Sequence, residues 1–356
     1  MLKVQIPDKF KFILIMKKSL FFLFLSVFYS SVEASIVTVN NNPIGTAAQF
    51  TQVNPAINAA NAGDTILVSG SAYTYADFTI SKSLTLIGPG TFSPKQFNYP
   101  ATVNSIIMGG GVSNVSIRGF KIIGSLDGFN NGNISFVTIT DNYFTNNAMY
   151  YAGITNVHDV IFSNNIITGG GRLTNVFNTS GCYNFLIENN LVNGFIENFN
   201  IPNSTVQNNV FYNIANAFNA STTVVSGITI KNNIFYNAHP SNGTSTCVFS
   251  NNLTYSSSVT YPALGGSNFD NQDPQFVNVG ISGGYSSSYN FSLPASSPGH
   301  NAGTDGTDVG YYGGGMRVSV IGEPQNVPVI REMDVQNGNV LQNGNLNVKV
   351  RSTIAR

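Results

Sequence analysis

Charge is scarce in this sequence. Only 9% of the residues are Asp, Glu, Lys or Arg, and the formal net charge is zero. Between Val112 and Thr260, where the repeats described below lie, there are nine charged residues. A nucleic-acid-binding surface needs clustered Lys and Arg to neutralise phosphates, so this composition excludes nucleic acid as a partner.

Long apolar runs are also missing, except near the start of the chain, and no segment after residue 34 is apolar enough to cross a membrane as a helix. At the start, Met16 and two lysines precede the apolar run 19–28, and a small-residue site ends at Ala34. This order is typical of a secretory signal peptide. We therefore predict a signal peptide over residues 1–34, with Met16 as an alternative start. The protein is then secreted, extracellular or on the cell surface, with the periplasm as an alternative.

What the sequence does contain is a repeat. A polar pair followed by apolar residues recurs between Asp141 and Asn252 at intervals of 19 to 25 residues. Such a period is typical of a solenoid in which each repeat forms one coil. Two alternating apolar residues precede most pairs, as in Val137 and Ile139, and predict a short strand with one buried face. The pairs are Asp141-Asn142, Asn164-Asn165, Asn189-Asn190, Asn208-Asn209, Asn232-Asn233 and Asn251-Asn252.

The two positions of the pair have different residue preferences. An earlier coil carries Gly119 and Phe120 there, so the first position accepts Gly, Asp and Asn, which tolerate a left-handed backbone. The second position accepts Asn or Phe, which indicates an inward-facing side chain. We predict that the first residue forms a bend and that the second residues form a structural amide ladder inside the coil rather than a ligand site. The predicted ladder consists of Asn142, Asn165, Asn190, Asn209, Asn233 and Asn252.

The two cysteines, Cys182 and Cys247, fall three coils apart in this frame. At about 4.8 Å per coil their separation is roughly 14 Å, which is beyond the reach of a disulfide. We therefore predict two free thiols.

A short helix precedes the coils. Asn54 suits the position before a helix, Pro55 the first helical position and Gly63 the end, which predicts a helix over residues 55–62 with Ile57 and Ala60 on one face. A solenoid needs its end covered, so we expect this helix to cap the first coil.

Both ends of the repeat region resemble a known group. Residues 59–68 (Ala-Ala-Asn-Ala-Gly-Asp-Thr-Ile-Leu-Val) and 80–88 (Ile-Ser-Lys-Ser-Leu-Thr-Leu-Ile-Gly) resemble the opening of secreted right-handed parallel β-helix proteins of the pectin-lyase-like superfamily, although Ser69 stands where Pro is usual. Residues 273–276, 297–303 and 308–313 resemble the closing segment of bacterial members. The resemblance implies an all-β, right-handed parallel β-helix over residues 35–315. It implies no particular activity, because the superfamily includes lyases, hydrolases, esterases, epimerases and members without known activity.

Residues 316–356 form a separate piece. Two Asn-Gly turn signals and the alternation over residues 346–350 predict a small β tail that caps the last coil or links to the cell surface.

Candidate contact residues come from the segment between each polar pair and the next strand. Aromatic and amide side chains there suit a sugar, and Arg172 with Glu197 is a candidate catalytic pair. Glycosidases need two carboxyl groups roughly 5–10 Å apart, and no such pair occurs on neighbouring coils, so surface charges are the alternative interpretation. The predicted sugar contacts are Tyr150, Tyr151, Asn175 and Asn198, with Asn219 on the same segment of a later coil.

A metal is not required by this sequence, but calcium is an alternative. Four carboxylates flank the closing segment and could supply oxygen ligands, whereas Asp in Gly-rich turns usually bonds its own backbone. The histidines at 158, 239 and 300 lie in turns and are interpreted as turn or packing residues. The carboxylates are Asp270, Asp273, Asp305 and Asp308.

The sequence leaves several functions open. We predict a monomeric protein that binds a polysaccharide or cell-surface glycan along an exposed groove without strong catalysis. One alternative is a polysaccharide lyase or another carbohydrate-active enzyme. The other alternative is a non-catalytic adhesin or structural surface rod.

Overall fold

The computed structural model of the protein describes residues 34–43, 48–90, 99–177, 180–221, 223–240, 242–280, 283–315, 328–335 and 347–354, with the side chains of 150–152, 175–177, 328–335 and 353–354 left out of the description. The predicted signal segment and the two Asn-Gly turns of the tail lie outside these residues. Residues from Ser35 onward belong to one compact unit.

The chain forms three parallel sheets and visits each in turn, so that successive coils stack. Sheet A consists of β1 (Ile36–Val39), β2 (Thr65–Val68), β4 (Thr85–Ile87), β7 (Ser113–Arg118), β10 (Ile134–Thr140), β13 (Val157–Ser163), β16 (Tyr183–Glu188), β19 (Thr205–Gln207), β23 (Thr229–Lys231) and β26 (Val248–Ser250). Sheet B consists of β5 (Ala101–Val103), β8 (Phe120–Ile122), β11 (Tyr143–Phe144), β14 (Ile166–Ile167), β17 (Leu191–Val192), β20 (Val210–Asn216), β24 (Ile234–His239) and β27 (Leu253–Tyr255). Sheet C consists of β3 (Phe78–Ile80), β6 (Ile106–Met108), β9 (Leu126–Asp127), β12 (Met149–Ala152), β15 (Arg172–Phe177), β18 (Phe195–Glu197) and β21 (Phe218–Asn219).

Smaller elements complete the architecture. They are the helix α1 (Val53–Ala59), the 3₁₀ helix Phe129–Asn131, the parallel pair β22 (Val225–Ser226) and β25 (Thr244–Ser245), and the antiparallel pair β28 (Pro328–Val335) and β29 (Val348–Ile354). The all-β parallel β-helix predicted from the repeats is confirmed.

The inner core follows the predicted register. Val137 pairs with Val160 and Ile139 with Phe162, and all four are buried. The inward residues of the three sheets meet along the axis of the coil, where apolar burial contributes about 25 cal/mol for each Å² removed from water.

The amide ladder is confirmed in detail. Each predicted Asn is buried, and its side-chain Nδ2 donates to the Oδ1 of the next coil, as from Asn190 to Asn209 at 2.8 Å. The same Oδ1 also accepts the backbone N–H of the preceding coil, as from Asn190 at 3.0 Å. The ladder continues past the repeats, because Asn252 donates to Asn268 at 2.9 Å. These bonds satisfy polar groups that would otherwise be costly to bury.

The first residue of each pair has the predicted left-handed backbone; for example, Asn189 has a φ of 51° and Gly119 a φ of 77°. The side chains of Asn189, Asn232 and Asn251 turn outward and hold the closing segment. Asn189 donates to the carbonyl oxygens of Tyr311 and Gly313 at 3.0 and 2.9 Å, and Asn251 donates to that of Ala302 at 2.9 Å. These residues therefore anchor the segment as well as forming the bend.

The closing segment packs on the outer face of sheet B. Phe291, Val309 and Tyr311 form a second buried cluster there with residues such as Val210 and Ile234, separate from the inner core. The outer face of this sheet is therefore covered from β14 to β27, which explains why these strands are apolar on both faces.

Helix α1 differs in its ends from the prediction. It begins at Val53 with Gln52 as the N-cap and ends at Ala59, four residues before Gly63. Asn54 does not cap it: its Oδ1 accepts the N–H of Thr79 at 3.0 Å. The helix still buries Ile57 against the inner core, with Ala60 alongside, as the shared face predicted.

The C-terminal tail contains a pair of strands, and both cysteines are free thiols. Strands β28 and β29 pair antiparallel, which confirms a small β tail, although Val348 and Val350 are 40% and 50% exposed, so their alternation gives no buried face. Cys182 and Cys247 are free, as predicted. In the described part of the chain, no helix has the length and apolar character needed to span a membrane.

Candidate functional site

The candidate contact residues lie on sheet C. Alternation along its strands turns Met149, Ile196 and Phe218 into the core. In β18 and β21 the following residues are Glu197 and Asn219, and in β12 the corresponding backbone position is Tyr150, which strand pairing aligns with Asn175. The alignment continues from Asn175 to Glu197 and from Glu197 to Asn219. We call these four aligned positions the sheet C row: Tyr150, Asn175, Glu197 and Asn219.

The row brings together residues that are 22 to 25 positions apart in sequence. With strands about 4.8 Å apart, its four positions span roughly 14 Å along the stack. Tyr151 pairs with Val176 and is therefore one position beyond the row. The side chains of Tyr150, Tyr151 and Asn175 lie outside the described residues, so their placement rests on the backbone register.

Arg172 and Glu197 form an ion pair. The Nε of Arg172 donates to Oε2 of Glu197 at 2.5 Å. Glu197 is only 2% exposed although it lies on the outer face, and its other oxygen, Oε1, is 3.5 Å from Nδ2 of Asn219. The carboxylate is thus covered and occupied on both oxygens, unlike the solvated surface charge that was the alternative interpretation.

Two further residues, which the sequence did not single out, position Arg172. Its guanidinium carbon lies 5.7 Å from the ring centroid of Phe195, the residue aligned with it in the next coil. Its backbone N–H donates to Oδ1 of Asn147 at 2.9 Å. Only the register of sheet C reveals these contacts, because both partners are about 25 residues away.

Asn198 has a structural role, which corrects its assignment as a sugar contact. It is fully buried, its φ is 54°, and its Oδ1 accepts the backbone N–H of Ser221 and Thr223 at 3.1 and 3.0 Å. Its side chain therefore braces the turn after β18 instead of reaching the surface.

The four carboxylates of the calcium alternative each bond local groups. Asp270 accepts the N–H of Leu264 at 2.8 Å, and Asp273 that of Gln275 at 2.8 Å. Asp305 accepts from Thr307 Oγ1 at 2.7 Å, and Asp308 accepts the N–H of Asn301 at 2.9 Å. Among the described residues, no three His, Cys, Asp or Glu side chains are grouped to hold a metal ion. The bonds are those of Asp in tight turns.

Each of the three histidine rings contacts a polar group of a nearby residue. Nδ1 of His239 accepts the N–H of Asn242 at 3.1 Å, and burial lowers the pKa of His239. Nδ1 of His300 lies 2.8 Å from Asp308. His158 lies on the outer face of sheet A, away from the sheet C row, with Nδ1 2.8 Å from Asp159.

Comparison with known proteins does not assign the chain to a family: no protein-family model matches it, and no curated protein matches it.

Proposed function

We propose that this chain is an exported β-helix protein that binds a neutral or mildly acidic polysaccharide along the sheet C row, without strong catalysis. The observation that carries the proposal is the alignment of Tyr150, Asn175, Glu197 and Asn219 on successive strands. Amide and aromatic positions at regular spacing, with the buried Glu197 holding Arg172 and Asn219 between them, offer repeated contacts to a ligand that is itself a repeat.

The chemistry of the row supports binding. Amides both donate and accept hydrogen bonds, as sugar hydroxyls require, and an aromatic ring packs on the apolar face of a sugar. Arg172, whose side chain is 35% exposed, lies beside the row and offers a positive group to an acidic sugar. Because that charge is shared with Glu197, the attraction for a strongly acidic polymer is reduced.

The same contacts argue against strong catalysis. Glu197 has amides at the aligned positions on both sides, so the row carries one carboxylate where a glycosidase uses two. A general base must also reach its proton, whereas both oxygens of Glu197 already accept bonds from Arg172 and Asn219.

Export and superfamily membership belong to the same proposal. The charged and apolar segments before Ala34 support cleavage after that residue, so that the mature chain starts at Ser35. The opening and closing motifs support a right-handed coil of the pectin-lyase-like type.

The test is glycan binding by wild type and by variants at the two ends of the row. We expect Tyr150→Ala and Asn219→Ala each to weaken binding by about 3- to 10-fold, since each removes one of several weak contacts. Tyr99→Ala, which removes an exposed ring outside sheet C, is the control and should bind as wild type. A glycan array that includes uronate polymers supplies the ligands.

A product assay on the same uronate polymers separates the alternatives. Release of unsaturated products that is lost in Arg172→Ala would make the protein a lyase and refute the non-catalytic part. Arg172→Ala also leaves Glu197 buried without its cation, so its thermal midpoint must be measured alongside. Absence of glycan binding in a folded wild-type protein would favour the surface rod.

A further inference from the structure

A strained phenylalanine lies on the outer face of sheet A. Four equivalent positions in successive coils have left-handed backbone, with φ of 54° at Asn114, 53° at Phe136, 56° at Asp159 and 60° at Asn184. Asn and Asp tolerate this conformation, whereas a bulky aromatic residue rarely adopts it.

Phe136 gains no core packing in exchange for its strain, because its side chain is 55% exposed. An Asn at this position, as in two of the other three coils, would be less strained. A residue that breaks a local rule without a compensating structural gain indicates a functional constraint.

Phe136 is also part of the wall of a cleft. The left-handed column forms one side, and the next outward column, Thr138, Ile161 and Leu186, forms the other. The cleft has a volume of about 480 Å³, which is within the range of small-molecule sites. It extends over β7, β10, β13 and β16, which is roughly 14 Å along the stack.

Aromatic rings continue from the cleft along the same face. The rings of Phe136 and His158 meet edge to face with centroids 6.0 Å apart, and His158 stacks on Tyr183 at 4.6 Å. Polar groups lie in the same column as Phe136: Asp159 accepts a hydrogen bond from Asn184 and lies 2.8 Å from His158 Nδ1. The cleft thus combines apolar walls with hydrogen-bonding groups.

The residues that line the cleft favour a sugar over an anion or a peptide as its ligand. The described lining includes no Lys or Arg, so an anionic ligand finds no cation there. Strands β10 and β13 are paired on both sides, so a peptide cannot add to them as an extra strand. A sugar has an apolar C–H face and hydroxyl edges, and it fits the ring of Phe136 beside the amides of Asn114 and Asn184 and the carboxylate of Asp159.

We propose that this cleft, the Phe136 cleft, is a second carbohydrate site that takes a segment of a neutral oligosaccharide along the stack. Phe136 supplies the ring on which a sugar packs, and its strained backbone aims that ring into the cleft. The site lies on sheet A, so it binds independently of the sheet C row.

The test pairs two substitutions at the same position. Calorimetric titration uses a panel of neutral oligosaccharides of glucose, mannose, galactose and xylose. Phe136→Asn removes the ring and relieves the backbone, so we expect about tenfold weaker binding together with a raised thermal midpoint. Phe136→Tyr keeps both the ring and the strain and should keep the binding without the gain in stability. Tyr73→Ala, at an exposed ring outside the cleft, is the control.

Several results of these binding measurements would contradict the proposal, and each has a different meaning. Failure of every panel member to bind wild type, or equal binding by wild type and Phe136→Asn, would overturn the proposal. Loss of binding in Asn219→Ala but not in Phe136→Asn would assign the sugar to the sheet C row alone. Self-association of wild type that Phe136→Asn abolishes, without sugar binding, would make the cleft an interface between copies.

Discussion

The two asparagines of a pair direct their side chains to opposite sides of the turn, one outward to the closing segment and one inward to the ladder. Asn189 has a left-handed backbone and sends its amide outward to the closing segment, whereas Asn190 sends its amide inward to the ladder. The two roles need different properties: tolerance of positive φ at the first position, and an amide that both donates and accepts at the second. Asp can therefore replace Asn at the first position, as Asp141 does.

Removal of one ladder amide tests the inner role. In Asn190→Ala the carbonyl oxygen of Phe162, Oδ1 of Asn209 and the N–H of Asn165 each lose a buried partner. Unsatisfied buried groups cost about 1–3 kcal/mol each, and partial relaxation leaves an expected loss of roughly 3 kcal/mol in the free energy of unfolding. Urea denaturation measures it. Asn146→Ala, at an exposed position, should change stability by less than about 0.5 kcal/mol, and equal losses in the two variants would contradict the role of the ladder.

At the scale of elements, the closing segment and sheet B depend on each other. The outward residues of sheet B from β14 to β27 are apolar and would be an exposed patch without their cover. The segment has little regular secondary structure, so its order comes from this packing and from the outward asparagines. Its buried tyrosines make the contact sensitive to alkaline pH.

We expect this contact to weaken as pH rises above about 10. Burial raises the pKa of Tyr285 from its ordinary value of 10.0 to about 12, and burial also raises the pKa of Tyr311. The folded state therefore keeps protons that the unfolded chain releases between these values, and their contribution to stability is complete below pH 10 and lost towards pH 12. Thermal midpoints measured across this range should fall less steeply for Tyr285→Phe, which cannot ionise. Identical curves for wild type and Tyr285→Phe would rule out this linkage.

The elements differ in how far the sequence could predict them. The ladder followed from two columns of residues in a fixed frame, because each coil repeats the same local geometry. The bonds from Asn189 to the closing segment span more than 120 residues, and no local pattern signals them. The burial of Glu197 was missed for a similar reason, since its cover comes from neighbouring coils. The start of α1 was misplaced because tertiary contacts of Asn54 outweighed its preference for capping.

At the scale of the whole molecule, stability in a stack of coils depends on neighbours. A coil in the middle is held from both sides, whereas a terminal coil is held from one side and opens more readily. One cysteine lies before a strand inside sheet A, and the other lies before the last strand of that sheet. Cys182 precedes β16 in the middle of sheet A, and Cys247 precedes β26 at the end of the same sheet.

We therefore expect Cys247 to react with a thiol reagent faster than Cys182 under native conditions. Burial raises the pKa of both thiols, so neither reacts quickly while its coil is closed, and labelling reports opening. Cys182 is only 4% exposed and accepts the backbone N–H of Val157 at 3.4 Å, so its release requires opening of a central coil. Mass spectrometry of labelled peptides, with Cys182→Ser and Cys247→Ser to assign each signal, gives the two rates. Equal rates would mean that the coils open as one cooperative unit, and a peptide joining the two cysteines by a disulfide would contradict the coil register itself.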